Sequence, residues 1–325
     1  MMNSHVGAIA LSRKLILACV GAVSALAVMV LWIVPGQPAA AARPKCLGST
    51  ATIVGNNHSN RIHGTKHRDV VVAAGGNDVI IGDGSLDKIC GGPGNDRIEG
   101  GGRDDRLVGG PGDDQIWGHG GNDLIIGDNA NPFGSATGPT GKDYINGGFG
   151  RDLEIGDNYG RSLATGSSHD RILGLAGHDR LIGDSMAIGG GRTVGGAPDK
   201  LTGAGGNDLV VGDSFSPRGV AIGGGNDDLS GGPKRDLLIG DSLTHTGVAT
   251  GTGNDALHGL SGADVLRGDN WASEPGGRAT KGGRDLLTGG PGNDHLNGGP
   301  RRDNCSGGPG RDRARKCGGW VIGVP

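Results

Sequence analysis

Aromatic side chains make up only 3% of these 325 residues, too few to fill the core of one or two ordinary globular domains. Glutamate is nearly missing as well. Glu99, Glu154 and Glu274 are the only three, so 31 of the 34 acidic residues are Asp, a short carboxylate suited to turns. There is no excess of positive charge: a net charge of -3 and a pI near 6.3 leave no basic field for nucleic acid. The 15 prolines are too few for collagen, and glycine does not recur every third residue. C-x-x-C pairs and the D-x-[DN]-x-[DN]-G loop are both missing, which removes zinc ribbons and EF-hands.

Glycine, by contrast, is abundant, with 72 residues. Without order, that content would mean a disordered chain, since glycine packs nothing and costs conformational entropy. The order is strict. From Gly91 to Ile126 the chain reads GGPGNDRIE GGGRDDRLV GGPGDDQIW GHGGNDLII in blocks of nine. Across the chain 22 such units occur, with Asp at the sixth place in 21 and Asn60 in the other. The eighth place is Ile, Leu or Val in 19 units, the exceptions being Glu154, Cys305 and Ala314.

One unit divides into two parts. Its first six residues favour a tight turn, in which glycine takes positive φ and leaves carbonyls unobstructed. Its last three, such as Arg97-Ile98-Glu99, alternate polar, apolar, polar and form a short strand with one inward side chain. A three-residue strand buries nothing alone, so two units must close a flattened coil of 18 residues and coils must stack as parallel sheets. The 22 units predict about eleven 18-residue coils, an all-β parallel β-roll or β-solenoid.

Stacking also sets turn above turn, so the sixth-place Asp residues line up in two columns. At about 5 Å apart, neighbouring carboxylates repel by roughly 3 kcal/mol at an effective dielectric of 20. A cation between them relieves this. Calcium suits a set of Asp carboxylates and glycine carbonyls, because it takes six to eight oxygens in flexible geometry.

GGPGND, GGNDLII and GAGGNDLVV resemble the nonapeptide repeats of the haemolysin-type, or RTX, calcium-binding β-roll proteins. The resemblance runs from Gly55 to Arg315. It implies a right-handed roll with several calcium ions between stacked turns. The ligands it implies are Asp78, Asp87, Asp96, Asp105, Asp114 and Asp123 in the unbroken block, and Asp152, Asp179, Asp208, Asp236, Asp264, Asp294 and Asp312 in later short turns. Gly91, Gly92, Gly94, Gly109, Gly110 and Gly112 are the matching turn glycines.

The repeats are unbroken over residues 55–126, interrupted over 127–279 and unbroken again over 280–315, with an N-terminal cap at 43–54 and a tail at 316–325. The interruptions are regular. IGDN, IGDN, IGDS, VGDS, IGDS and RGDN, beginning at Ile126, Ile155, Ile182, Val211, Ile239 and Arg267, each open an insertion of nine to twelve residues. Falling once per coil, the insertions predict long loops on one edge, removable one at a time, as with Gly240 to Ala249. The Asp residues within them, Asp128, Asp157, Asp184, Asp213, Asp241 and Asp269, read as loop-starting turns or accessory calcium ligands. An exposed ridge of such loops also suits a glycan, cell-wall or protein partner. Arg267-Gly268-Asp269 spells an adhesion tripeptide but arises from the same series.

Arg13 and Lys14 precede the uncharged stretch Leu15 to Val34, then Pro35-Gly36 and an Ala run. That order marks residues 1–42 as a secretory signal cut near Ala42, leaving no stable membrane span. An uncleaved anchor and a lipid-modified Cys19 are the alternatives. Cys46, Cys90, Cys305 and Cys317 remain, an even number that suits two disulfides in an exported protein. Three pairings are possible. Clustering at the array ends favours Cys46 with Cys90 and Cys305 with Cys317, provided the N-terminal segment folds back.

Catalysis finds little support. Ser168, His169 and Asp170 are sequence neighbours and cannot converge as a triad. Asp104-Asp105 and Asp113-Asp114 fall in the turns rather than in a cleft. The expectation is a secreted, non-enzymatic calcium-binding protein that folds on binding Ca2+, with surface adhesion as an extension; a secreted polysaccharide or ester hydrolase on a parallel β-helix is the alternative.

Overall fold

A computed structural model describes residues 42–318 and the backbone of 321–322; the expected export signal falls outside the described residues except for Ala42. Each nonapeptide forms the strand its pattern predicts. Arg61–His63, for example, is exposed, buried, exposed along its three residues. The next coil repeats this in register, so Ile80, Ile98 and Ile116 stack directly on one another. Two parallel sheets result, each of twelve strands. The front sheet runs from Arg61–His63 to Val321–Ile322 and the back sheet from Ile53–Asn56 to Arg313–Arg315. The chain alternates between them, which makes the parallel β-solenoid expected from the period.

The repeats supply eleven strands to each sheet, and the twelfth is a flanking strand that unit counting passes over. Ile53–Asn56 opens the back sheet and Val321–Ile322 closes the front one. The stack is therefore deeper than eleven coils, and at about 4.8 Å per strand it spans roughly 50 Å.

Eighth-place side chains from both sheets meet between them in one continuous apolar column, from Ile62 to Cys305. Almost all are fully buried. Apart from Cys305, each apolar eighth-place member is a Leu, Ile or Val worth about 2 kcal/mol when removed from water. Glu154 interrupts the column, paired in register with Ile125 and Leu181 on either side.

The insertions are not loops, which corrects the sequence reading. Each carries two short strands, such as Met186–Ala187 and Arg192–Val194, and these stack into two further six-stranded parallel sheets on one edge of the roll. The cause is a second apolar cluster. The last residue of a back-sheet strand points away from the central column, as Ile182 does beside Leu181, and is covered by a bulky residue from the insertions: Tyr159, Met186, Phe215 or Leu243. A coil in this region therefore has four strands and a repeat distance of 27 to 30 residues, seen in the ladder pairs Ile172↔Leu201 and Ala256↔Leu286.

Both ends are tied by the expected disulfides. Lys45–Cys46 turns back on Ser49–Thr50 as an antiparallel hairpin, which brings Cys46 to Cys90 with a Cα separation of 5.7 Å. Cys305 and Cys317 bond at a Cα separation of 5.9 Å. Among the described residues no helix is long and apolar enough to cross a membrane.

Candidate metal centre

The turns stack as closely as the strands. In every uninterrupted turn from Ala74 onward the second place takes positive φ: glycine at Gly92 (φ 106) and Gly110 (φ 112), and strained L-residues at His119 (φ 71) and Leu175 (φ 74). Glycine at the first place is required for a different reason. A β-carbon on Gly91 or Gly109 would collide with Oδ2 of Asp96 or Asp114, the sixth residue of its own turn, and with a glycine carbonyl of the next coil.

The sixth-place Asp side chains fold inward over these bare glycines and form two columns. Asn60, Asp78, Asp96, Asp114, Asp143 and their successors to Asp303 precede the front-sheet strands. Asp69, Asp87, Asp105, Asp123, Asp152 and their successors to Asp312 precede the back-sheet strands. Within a column each Asp backbone N–H donates to Oδ1 of the Asp one coil on: Asp96 N to Asp114 Oδ1 at 2.7 Å, Asp105 N to Asp123 Oδ1 at 2.7 Å, Asp294 N to Asp312 Oδ1 at 2.9 Å. Of the ligands expected from sequence, Asp78, Asp96 and Asp114 fall in the first column. Asp87, Asp105, Asp123, Asp152, Asp179, Asp208, Asp236, Asp264, Asp294 and Asp312 fall in the second. The sequence list omitted the first-column residues beyond the insertions, such as Asp143, Asp199 and Asp227, which follow the same sixth-place rule.

Each carboxylate thus spends one oxygen on the backbone, and the other is left over. Oδ2 is buried without a hydrogen-bond partner in all the column Asp residues except Asp69 and Asp170. Asp69 is met by Thr65 and Asp170 by Ser168. Burial lifts the Asp96 carboxyl to about 7, Asp105 to about 8 and Asp114 to about 9; the N–H of the preceding coil pulls each down, and neighbouring carboxylates push it up. Rows of buried, unpaired carboxylate oxygens are costly unless something positive meets them.

Calcium fits this donor set. The free atoms are oxygens only, carboxylate Oδ2 with glycine carbonyls alongside, and neither His nor Cys joins them. Among the described residues no three His, Cys, Asp or Glu side chains gather as a ready-made shell, so backbone carbonyls must supply much of any coordination.

The Asp residues expected to start loops or serve as accessory calcium ligands form a third column. Asp128, Asp157, Asp184, Asp213, Asp241 and Asp269 are all buried at the roots of the insertions. Instead of opening local turns, most clasp the far end of their own insertion: Gly225 N donates to Asp213 Oδ1 at 2.9 Å and Gly253 N to Asp241 Oδ1 at 2.8 Å. The same clasp engages Asp269, which accepts from Gly283 N at 2.6 Å, while Arg267 stacks 4.2 Å from the Trp271 ring. Arg267-Gly268-Asp269 is therefore built into the roll. Ser168 bonds to Asp157 and Asp170, and His169 is exposed, so these neighbours form no triad.

Glu154 is the other buried acid outside the pattern. Fully enclosed, with neither carboxylate oxygen bonded to a side chain among the described residues, it lies beside Asp152 at the bare α-carbon of Gly147, whose backbone N–H is its one favourable neighbour. Burial first, then Asp179 and Asp152, pushes its carboxyl well above the usual range.

No curated protein matches the chain. The family model for the RTX calcium-binding nonapeptide repeat matches residues 54–89, 63–98, 99–133, 137–154, 162–185, 193–216, 222–242, 248–270 and 280–314. These stretches cover the unbroken blocks and every interrupted coil, more than half of the chain, and it belongs to the RTX calcium-binding nonapeptide repeat family.

Proposed function

We propose that this protein is a secreted calcium-clamped solenoid that folds as it binds calcium outside the cell and there serves as a surface or adhesion module. One observation carries the reading: the columns of buried Asp Oδ2 atoms without partners, stacked over bare glycines. Asp78, Asp96 and Asp114 on one edge and Asp87, Asp105, Asp123, Asp152 and the rest of the second column on the other are the residues that would hold the ions. Carbonyls of turn glycines such as Gly91, Gly92, Gly94, Gly109, Gly110 and Gly112 would complete the shells. Bound calcium would supply positive charge between stacked turns, replacing repulsion along each column with coordination.

The two disulfides support an oxidising destination, and the N-terminal pattern of charge, apolar run and Ala-rich segment supports export. In a calcium-poor cytoplasm the columns would oppose folding and keep the chain open for transport; outside, calcium would close it.

The test is far-UV circular dichroism of the mature protein in chelator and then in millimolar calcium. Strand content should rise cooperatively with calcium, and equal content in both conditions refutes the coupling. For the surface role, calcium-loaded protein should sediment with cell-wall polysaccharide without turning it over. Product release would instead support a hydrolase.

A further inference from the structure

Six corners of the roll depart from the GGxGxD turn. At Gly127, Gly156, Gly183, Gly212, Gly240 and Gly268 the first glycine is kept but the second place is Asp, and the sixth-place Asp arrives only after the insertion has run out and back. Each insertion therefore leaves and re-enters through a neck flanked by two carboxylates. Asp184 and Asp199 flank one neck, Asp213 and Asp227 the next, Asp241 and Asp255 a third.

We propose that these necks are cation sites of a second kind, each holding one calcium-like divalent ion between the carboxylate that opens the insertion and the one that closes it. The proposal rests on the calcium reading above and shares its first-column Asp residues, but adds to each the Asp that opens the insertion, which changes the charge balance.

The geometry brings the paired acids to one spot. The position that a side chain on Gly253 would occupy lies 2.7 Å from Asp255 Oδ1 and 2.9 Å from Asp241 Oδ1. At the neck of Asp184, the Asp199 Oδ2 atom and the Gly212 carbonyl both sit over the bare α-carbon of Gly183. Both of those Oδ1 atoms already accept a backbone N–H, and Asp241 Oδ2 accepts from Asn270 Nδ2 at 3.0 Å, so the free oxygens on both sides lie at the other necks. Oδ2 is unpartnered in Asp184 and Asp213 on the opening side and in Asp199 and Asp227 on the closing side, and Asp184 and Asp213 are 0% exposed. The residue after a neck Asp can reach the neck carboxylates, as Asn270 does in donating from Nδ2 to Asp241 Oδ2 at 3.0 Å. The hydroxyls of Ser185, Ser214 and Ser242, each following a neck Asp, are also 0% exposed and unpartnered. Burial, together with Asp199, Asp213, Asp157 and Asp227, pushes the Asp184 carboxyl well above its usual range.

Charge separates these sites from the short turns. A short turn brings one carboxylate per coil, whereas a neck brings two, so one divalent ion per neck balances the charge. The oxygens gathered at the necks are carboxylate and carbonyl, with unpartnered serine hydroxyls one residue on, a set that calcium accepts without the strict octahedron of magnesium. Filling the necks would also lock the inserted sheets to the roll, because each ion would join the start of an insertion to its end.

Native mass spectrometry of the full chain at saturating calcium counts the ions. Asp→Asn substitution keeps the Oδ1 acceptor that clasps the neck and removes the charge. The Asp157→Asn, Asp184→Asn, Asp213→Asn, Asp241→Asn variant should hold one ion fewer per substituted neck while keeping the second-column ions. Should that variant fail to fold by circular dichroism, Asp184→Asn alone carries the test and should lose a single ion. An unchanged count in the folded variant overturns the neck sites and assigns the carboxylate pairs to shared protons. Wild-type protein that binds no calcium at all overturns the calcium reading itself, and the neck sites with it.

Discussion

Replacing Asp114 with Asn tests whether the columns oppose folding when calcium is absent. Asn keeps the Oδ1 that accepts the Asp96 N–H and leaves the Asp114 N–H bond to Asp143 in place, so the ladder survives. What changes is the charge. In an unfolded chain the carboxyl titrates near 3.9, and in the folded protein it is lifted to about 9 by burial, with Asp96 and Asp113 adding to the rise. Two charged neighbours at roughly 5 Å would each cost about 3 kcal/mol at an effective dielectric of 20, which exceeds the cost of taking up a proton at neutral pH. Protonation therefore wins, and it sets the magnitude.

Between pH 4 and 9 the native state holds a proton that the unfolded chain releases. The contribution of Asp114 is fully present below about pH 4 and is lost as pH rises, by about 1.4 kcal/mol per pH unit. At pH 7.5 the loss reaches on the order of 5 kcal/mol. An unpaired Asn Nδ2–H takes back about 1–3 kcal/mol at every pH, so it shifts the offset but not the slope. In chelator the Asn variant should therefore gain on the wild type steadily from pH 4.5 to 8. Because the calcium-free chain is open at neutral pH, folding driven by an excluded osmolyte in chelator, followed by circular dichroism at several pH values, measures this. In millimolar calcium the order should reverse, since the variant has lost a ligand. Parallel stability curves in chelator would refute the argument, because they would mean that Asp114 carries the same charge folded and unfolded.

Glu154→Leu should stabilise the chelated protein by roughly 2–4 kcal/mol, since it restores an aliphatic side chain between Ile125 and Leu181 and removes a buried acid with no side-chain partner. A higher osmolyte midpoint for folding in chelator would show that Glu154 favours the folded state instead. Deleting Gly240 to Ala249 should break both inserted sheets, because Leu243–Thr244 pairs with Phe215–Ser216 on one side and Trp271–Ala272 on the other. Uncovering Phe215 and its neighbours costs about 1.5–3 kcal/mol for each large side chain exposed, so the calcium-loaded protein should melt lower. An unchanged melting temperature would make the insertion a dispensable loop.

The roll was legible because its signal is redundant: Ile98 and Asp96 recur as Ile116 and Asp114, and a period of nine admits only a stacked coil. The disulfide pairing followed from position along that stack, and the sixth-place rule located both columns. What escaped the sequence was the order within the insertions. Their lengths vary from nine to twelve residues, so the nine-residue frame slips and they read as loops. Another frame was present. Measured from the GD step, the residue two places after each neck Asp is Ala130, Tyr159, Met186, Phe215, Leu243 or Trp271, and the buried small residue that follows is Ala136, Ala164, Thr193, Ala221 or Ala249 in the first five. From Tyr159 to Leu243, bulky against small is the pattern of two facing strands. Aromatic residues are too few here to fill a globular core, yet Tyr159 and Phe215 sit inside a narrow one, with Trp271 packed against it. Scarcity excluded a globular core correctly. It could not exclude a narrow one, because a solenoid needs only one bulky residue per coil to seal an edge, and each coil borrows the rest of its packing from the coils above and below.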